Sequence, residues 1–94
     1  MHVRVVRFTD VDPERVKQLI SRLDEAEGPP PGVTATGIQM LLDESQGTAV
    51  VLQFFDNAED MAAAEEAFSS MDPSDTPGTR ASVDRTELKV ERKM

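Results

Sequence analysis

A chain of 94 residues suits one domain, residues 1–94, because single domains centre on about 100–150 residues. Its 18 Asp and Glu outnumber 10 Lys and Arg, and the net charge of −8 gives a field of the wrong sign for nucleic-acid phosphates or an anionic membrane surface. Cysteine is absent, which excludes disulfides, thiolate nucleophiles and cysteine-bound zinc, and 38% apolar residues are enough for a fold with a thin core.

His2 to Thr9 reads as a strand, with Val3, Val5, Val6 and Phe8 as β-formers and apolar residues on both faces. The N-terminus enters this strand without the apolar stretch of a secretory signal. No run approaches the roughly 18 residues of a membrane span, so a cytoplasmic location is expected. Asp12-Pro13 starts a helix: Asp12 can accept free N–H groups of the first turn, and Pro13 suits the first helical position. Val16, Leu19, Ile20 and Leu23 then share one helix face. Gly28 stops the helix, and Pro29-Pro30-Pro31-Gly32 makes a stiff connector.

Val33 to Asp43 reads as a second strand with Thr34, Thr36, Ile38, Met40 and Leu42 on one face; Gly37 suggests a bulge or a close backbone approach. The turn Glu44-Ser45-Gln46-Gly47 leads to a third strand, Thr48 to Phe55, and the short loop makes the pair an antiparallel hairpin. Asp56 or Asn57 caps a second helix reaching about Met71, with Met61, Ala64, Phe68 and Met71 as its apolar stripe. Asp72 to Thr79 is dense in turn residues, and Ala81 to about Arg92 reads as a fourth strand with Leu88 and Val90 as its apolar pair.

The order βαββαβ predicts an α+β, ferredoxin-like fold: a four-stranded antiparallel sheet with both helices on one face. Helices then cover only one side. Yet Ala49-Val50-Val51-Leu52 and Phe54-Phe55 are apolar towards both, as is Val5-Val6. A sheet face open to water should be polar, so a partner is expected, and a homodimer through the sheet face is the economical one.

The element order, the length, the strand beginning at residue 2 and the closing stretch Thr76-Pro77-Gly78-Thr79-Arg80-Ala81-Ser82-Val83-Asp84 together resemble the dimeric α+β barrel superfamily. Within it the chain is most similar to small bacterial proteins grouped with the antibiotic-biosynthesis monooxygenases. The resemblance implies a ligand held between helices and sheet, and cofactor-free oxidation of an apolar or aromatic substrate. Haem-degrading members are expected to carry a histidine on the second helix, an asparagine on the first strand and a tryptophan. This chain has none of the three, so no cofactor is expected.

The residues themselves offer few catalytic groups. His2, the only histidine, is the one side chain whose ordinary pKa lies near neutrality; it is read as a weak catalytic candidate or a solvated terminal residue. Arg4 and Arg7 point to opposite faces of the first strand. One must meet the apolar layer, where it needs an acidic partner or an anionic ligand, and Arg4 is the second weak catalytic candidate. Arg85 and Glu87 alternate similarly and can pair across strands. Arg80, after Pro77-Gly78-Thr79, is a candidate anion contact.

Phe8, Met40, Phe54, Phe55, Met61 and Phe68 are candidate ligand-pocket residues, with Ala62, Ala63, Ala64 and Ala67 leaving space beside them; the same residues also suit an ordinary core. Asn57 suits a helix cap. The acidic clusters, including Glu59, Asp60, Glu65 and Glu66, read as solvated helix faces, and no metal site is expected. Two functions stay open: a monooxygenase-like protein acting on a small apolar ligand, and a non-catalytic ligand-binding or interaction module acting as a dimer.

Overall fold

The computed structural model describes residues 1–26, 33–69 and 76–93. Its elements are β1 (His2–Thr9), α1 (Pro13–Glu25), β2 (Gly37–Asp43), β3 (Thr48–Phe55), α2 (Ala58–Ser69) and β4 (Thr79–Glu87). They form one antiparallel sheet in the order β2-β3-β1-β4, with both helices on the same face. This is the ferredoxin-like arrangement. Gly28 to Gly32, Met71 and the loop residues 72–75 lie outside the described residues.

Local chemistry accounts for both helix starts. Asp12 is extended, and its Oδ1 accepts the Glu14 N–H at 2.9 Å, with Pro13 opening α1. Asn57 Oδ1 accepts the Asp60 N–H at 2.8 Å and so caps α2. The β2–β3 turn is closed by Asp43, whose carboxylate accepts Ser45 Oγ at 2.6 Å and Gln46 Nε2 at 3.0 Å. Gly47 completes it at φ 66°, a left-handed conformation that glycine adopts without steric cost.

Three expected strand limits move, the fourth strand beginning at Thr79 rather than Ala81. Regular pairing of the second strand begins at Gly37 rather than Val33. Val33 leaves the ladder to join the core around Phe55, Met61 and Ala64. Gly37 carries no bulge, and a Cβ there would meet only Phe54 at an ordinary 3.8 Å. The irregularity lies in β4 instead, where Ser82 faces Arg7 but Arg80 faces Phe8, leaving Ala81 as the extra residue. The fourth strand also ends early, at Glu87, which faces His2, and one further bond joins Leu88 N to Met1 O at 2.9 Å. Leu88 and Val90, expected inside that strand, lie beyond it and are exposed.

The sheet has two unlike apolar faces. Beneath the helices, cross-strand partners Val6–Val51 and Phe8–Ala49 form one core cluster, flanked by Met40 and Val83. Phe55, Met61, Ala64 and Val33 form the other, flanked by Ala35, Ala67 and Phe68. The opposite face carries Val3, Val5, Leu41, Val50, Leu52 and Phe54 in adjoining register, with Arg7 and Asp84 beside them. None of the described helices lies over it.

The helices engage the sheet unequally. α2 packs directly on β1 and β3. α1 buries only Val16. Of its apolar stripe, Ile20 is 44% and Leu23 39% exposed. The amphipathic face is therefore turned inward but is not closed against the sheet.

Candidate functional site

Between α1 and the sheet lies a cavity of about 1410 Å³. That exceeds the roughly 300–1,000 Å³ of common ligand sites. Leu19 and Leu23 of α1 line one side. Val6, Phe8 and Val51 of the sheet line another, with Phe68 of α2. Val16 and Ile20 meet Val11 and Leu42 around a separate recess of about 350 Å³. The stripe of α1 is thus spent on cavity wall rather than on core.

The charged part of the wall is mostly arginine. Arg4, Arg15, Arg22, Arg80 and Arg85 all line the cavity, against a single carboxylate among the described residues, Glu65. Arg4 lies on the helix side of central strand β1, between Arg85 of β4 and Gln53 of β3. Its side chain is 7% exposed. Like charges directly across strands repel, and a buried guanidinium needs compensation.

Three contacts supply that compensation for Arg4. Its Nη1 donates to Gln53 Oε1 at 2.9 Å. Its guanidinium lies 5.0 Å from the centre of the Phe68 ring, within cation–π range. Its Nε approaches Glu65 Oε1 at 3.5 Å, and the same carboxylate pairs with Arg85 Nε. At that separation the Arg4 contact is an ion pair rather than a short charge-assisted hydrogen bond, and Arg4 Nε has no hydrogen-bond acceptor among the described residues. Burial holds the Arg4 guanidinium below the ordinary arginine value; Glu65 opposes that shift, while the like charges of Arg80 and Arg85 add to it.

The rest of the wall is set by the loop before β4. Arg15 Nη2 donates to Thr76 Oγ1 at 3.2 Å, and Thr76 Oγ1 donates to Gly78 O at 2.8 Å. Asp12 N donates to Pro77 O at 3.0 Å. Pro77 and Gly78 are buried, and a Cβ on Gly78 would stand 2.5 Å from Thr9 O, so glycine is needed for this approach. The loop thereby fixes where Arg80 leaves the sheet edge. Arg80 makes no ion pair with any described residue.

Of the residues singled out from sequence, the cavity brings together Arg4, Arg80, Phe8 and Phe68. Phe55, Met61 and Met40 are placed in or against the core clusters and are not among its lining residues. Phe54 projects from the opposite sheet face, because it alternates with Phe55 along β3. His2 is half-buried at the end of β1, facing Phe55 and Glu87, and also lies outside the lining. Of the two first-strand arginines, Arg4 points inward and Arg7 outward.

Two readings of charge are corrected. Glu65 does not lie on a solvated helix face; it is 23% exposed and paired with Arg4 and Arg85. Its spacing of four from Met61 and three from Phe68 places it on the inward stripe, and that signal was available. Arg85 therefore pairs with Glu65 of α2 rather than across strands, and Glu87 takes Lys89 Nζ at 2.8 Å. Among the described residues, no acidic or histidine cluster could hold a metal ion, and no helix is long and apolar enough to cross a membrane.

The chain matches no protein-family model, no curated protein and no solved structure.

Proposed function

We propose that this chain is a small-molecule-binding protein whose ligand occupies the cavity between α1 and the sheet. The observation that carries the proposal is the 1410 Å³ space roofed by the apolar stripe of an amphipathic helix. A helix with that pattern ordinarily buries its stripe in a core, and here Leu19 and Leu23 face an unfilled volume instead. Oxidation of such a ligand, which the resemblance to antibiotic-biosynthesis monooxygenases implies, would draw on Arg4, the catalytic candidate that lines the cavity. The imidazole of His2 lies outside it, and binding alone is the function put forward here.

The proposal includes a cytoplasmic homodimer joined through the helix-free sheet face. Half-buried Val5, Val50, Leu52 and Phe54, with exposed Leu41, lie side by side there and form an apolar surface of the kind that a second sheet covers. Sedimentation at micromolar concentration should give a particle of twice the 10.3 kDa chain mass, and a 10.3 kDa particle would remove the dimer.

Binding is tested by NMR titration with a neutral aromatic, 2-naphthamide, and its anionic analogue, 2-naphthoate. Saturable shifts at Phe8, Leu19, Leu23 and Phe68 with either compound support a ligand cavity. No saturable shift at these residues with either compound overturns it.

A further inference from the structure

The geometry points to an organic anion as the ligand: an apolar body against Leu19, Leu23 and Phe8, with a carboxylate or phosphate head held by Arg4, Arg80 and Arg85. The inference rests on the binding proposal above and adds the chemical class of the ligand.

The distribution of charge is the first argument. The chain carries 18 acidic residues and 10 basic ones. Five of its seven arginines nevertheless line this one cavity, facing one carboxylate among the described residues. Where Arg4, Arg80 and Arg85 form the wall, the charge among the described residues is opposite in sign to that of the molecule as a whole. A cavity with low-dielectric walls and one sign of charge concentrates ligands of the other sign.

The local geometry is the second argument. Arg4 and Arg85 are directly opposed across β1 and β4, and one carboxylate, Glu65, serves both. Arg80 lies on the same edge, facing Phe8, and makes no ion pair with a described residue. Three guanidinium groups share one counterion, which leaves an excess of two positive charges at this part of the wall. Arg4 is more than nine-tenths buried, and its Nε–H meets only the Glu65 carboxylate, at 3.5 Å. Planar guanidinium groups match carboxylate and phosphate oxygens, so an anionic head supplies the missing charge.

Phe68 links the two halves of the site. One ring approaches the Arg4 guanidinium while the residue also lines the apolar volume. A ligand whose head reaches Arg4 must therefore place its adjoining carbon frame beside Phe68 and beneath Leu19 and Leu23. Glu65 acts as a resident counterion that holds the arginines together in the absence of ligand and competes with the ligand head when it arrives.

The test compares 2-naphthoate, 2-naphthyl phosphate and 2-naphthamide, which share one aromatic body, by isothermal titration calorimetry of the full chain at low salt. A charge-assisted hydrogen bond contributes about 1.5–3 kcal/mol. The better anion should therefore bind at least about tenfold more tightly than the amide. Carboxylate and phosphate are distinguished by which of the two anions is tighter. Arg80→Gln, at an exposed position where folding should be unaffected, should remove most of the anion preference over the amide. Glu65→Gln should strengthen anion binding, although it weakens the fold, and a merely structural role for Glu65 gives no such gain. Equal affinity for amide and anions would overturn the anion assignment while leaving the binding proposal standing. An anion preference unaffected by Arg80→Gln and by Arg85→Gln would place the head elsewhere and overturn it as well. Absence of binding by all three compounds would overturn both.

Discussion

Replacing Glu65 by glutamine keeps the volume of the side chain and removes its charge. Arg4 is then left desolvated opposite Arg85, with no carboxylate between them. Removing one partner of a buried pair costs about 3–5 kcal/mol. Glu65 is 23% exposed and Arg85 57%, so water screens part of the interaction. Arg4 also keeps its bond to Gln53 and its contact with Phe68. These retained contacts and the screening bring the expected loss to about 2 kcal/mol. For a domain of this size that corresponds to a fall in Tm of about 8–16 °C. Thermal unfolding at pH 7, followed by circular dichroism, measures it directly. Glu66→Gln is the control, because the neighbouring carboxylate is exposed and its replacement should change stability by no more than about 0.5 kcal/mol. If the two variants melt together within that margin, Glu65 is not the compensating charge for Arg4, and the account of the arginine cluster fails.

Other expected outcomes follow from single contacts. Gly78→Ala should destabilise the fold by about 1–3 kcal/mol in urea unfolding, because its Cβ would meet backbone at Thr9 O, 2.5 Å away, and Val11 Cα, 3.1 Å away. Asn57→Ala removes the acceptor for Asp60 N and should cost about 1 kcal/mol by the same assay. The Ser45 hydroxyl holds the Asp43 carboxyl below its ordinary value of 3.8, with Gln46 contributing further hydrogen bonds. Its contribution to stability is therefore present above the ordinary value and is lost as pH falls through the lower folded value. Ser45→Ala should move the Asp43 titration, read from its carboxyl carbon by NMR, upward towards 3.8.

The fold was legible because local signals agreed with one another. Asp12-Pro13 and Asn57 mark helix starts by chemistry that needs no tertiary context, and both caps are formed. Alternation in Thr48 to Phe55 sorts Ala49, Val51, Gln53 and Phe55 from Thr48, Val50, Leu52 and Phe54, although it does not reveal which set meets the helices. Strand ends were less legible because they depend on partners: β4 ends at Glu87, opposite His2 of β1. The site was legible only in part. Strand parity shows that one of Arg4 and Arg7 must turn inward, and the need of a buried arginine for an acid or an anion follows from electrostatics. That the acid is Glu65 depends on how α2 lies across β1, a tertiary fact. The cavity was hidden for a related reason. The stripe Val16, Leu19, Ile20 and Leu23 looks the same in sequence whether the helix closes on the sheet or stands away from it.

Two features of the chain lower its stability, and they meet in the same place. α1 leaves its apolar stripe incompletely buried, so hydrophobic surface that would contribute about 25 cal/mol per Å² in a closed core contributes less. Arg4 sits desolvated among like charges with one carboxylate to share. Each departure has a different remedy: apolar volume for the first, negative charge for the second. Closing α1 onto the sheet would bury the stripe but would bring no further carboxylate to the buried arginine. Filling the cavity with water would solvate the arginines and leave the leucines wet. The proposed ligand, with an apolar frame and an anionic head, would meet both requirements at once, and its binding would add about 2.7 kcal/mol to folding stability at a concentration one hundred times Kd.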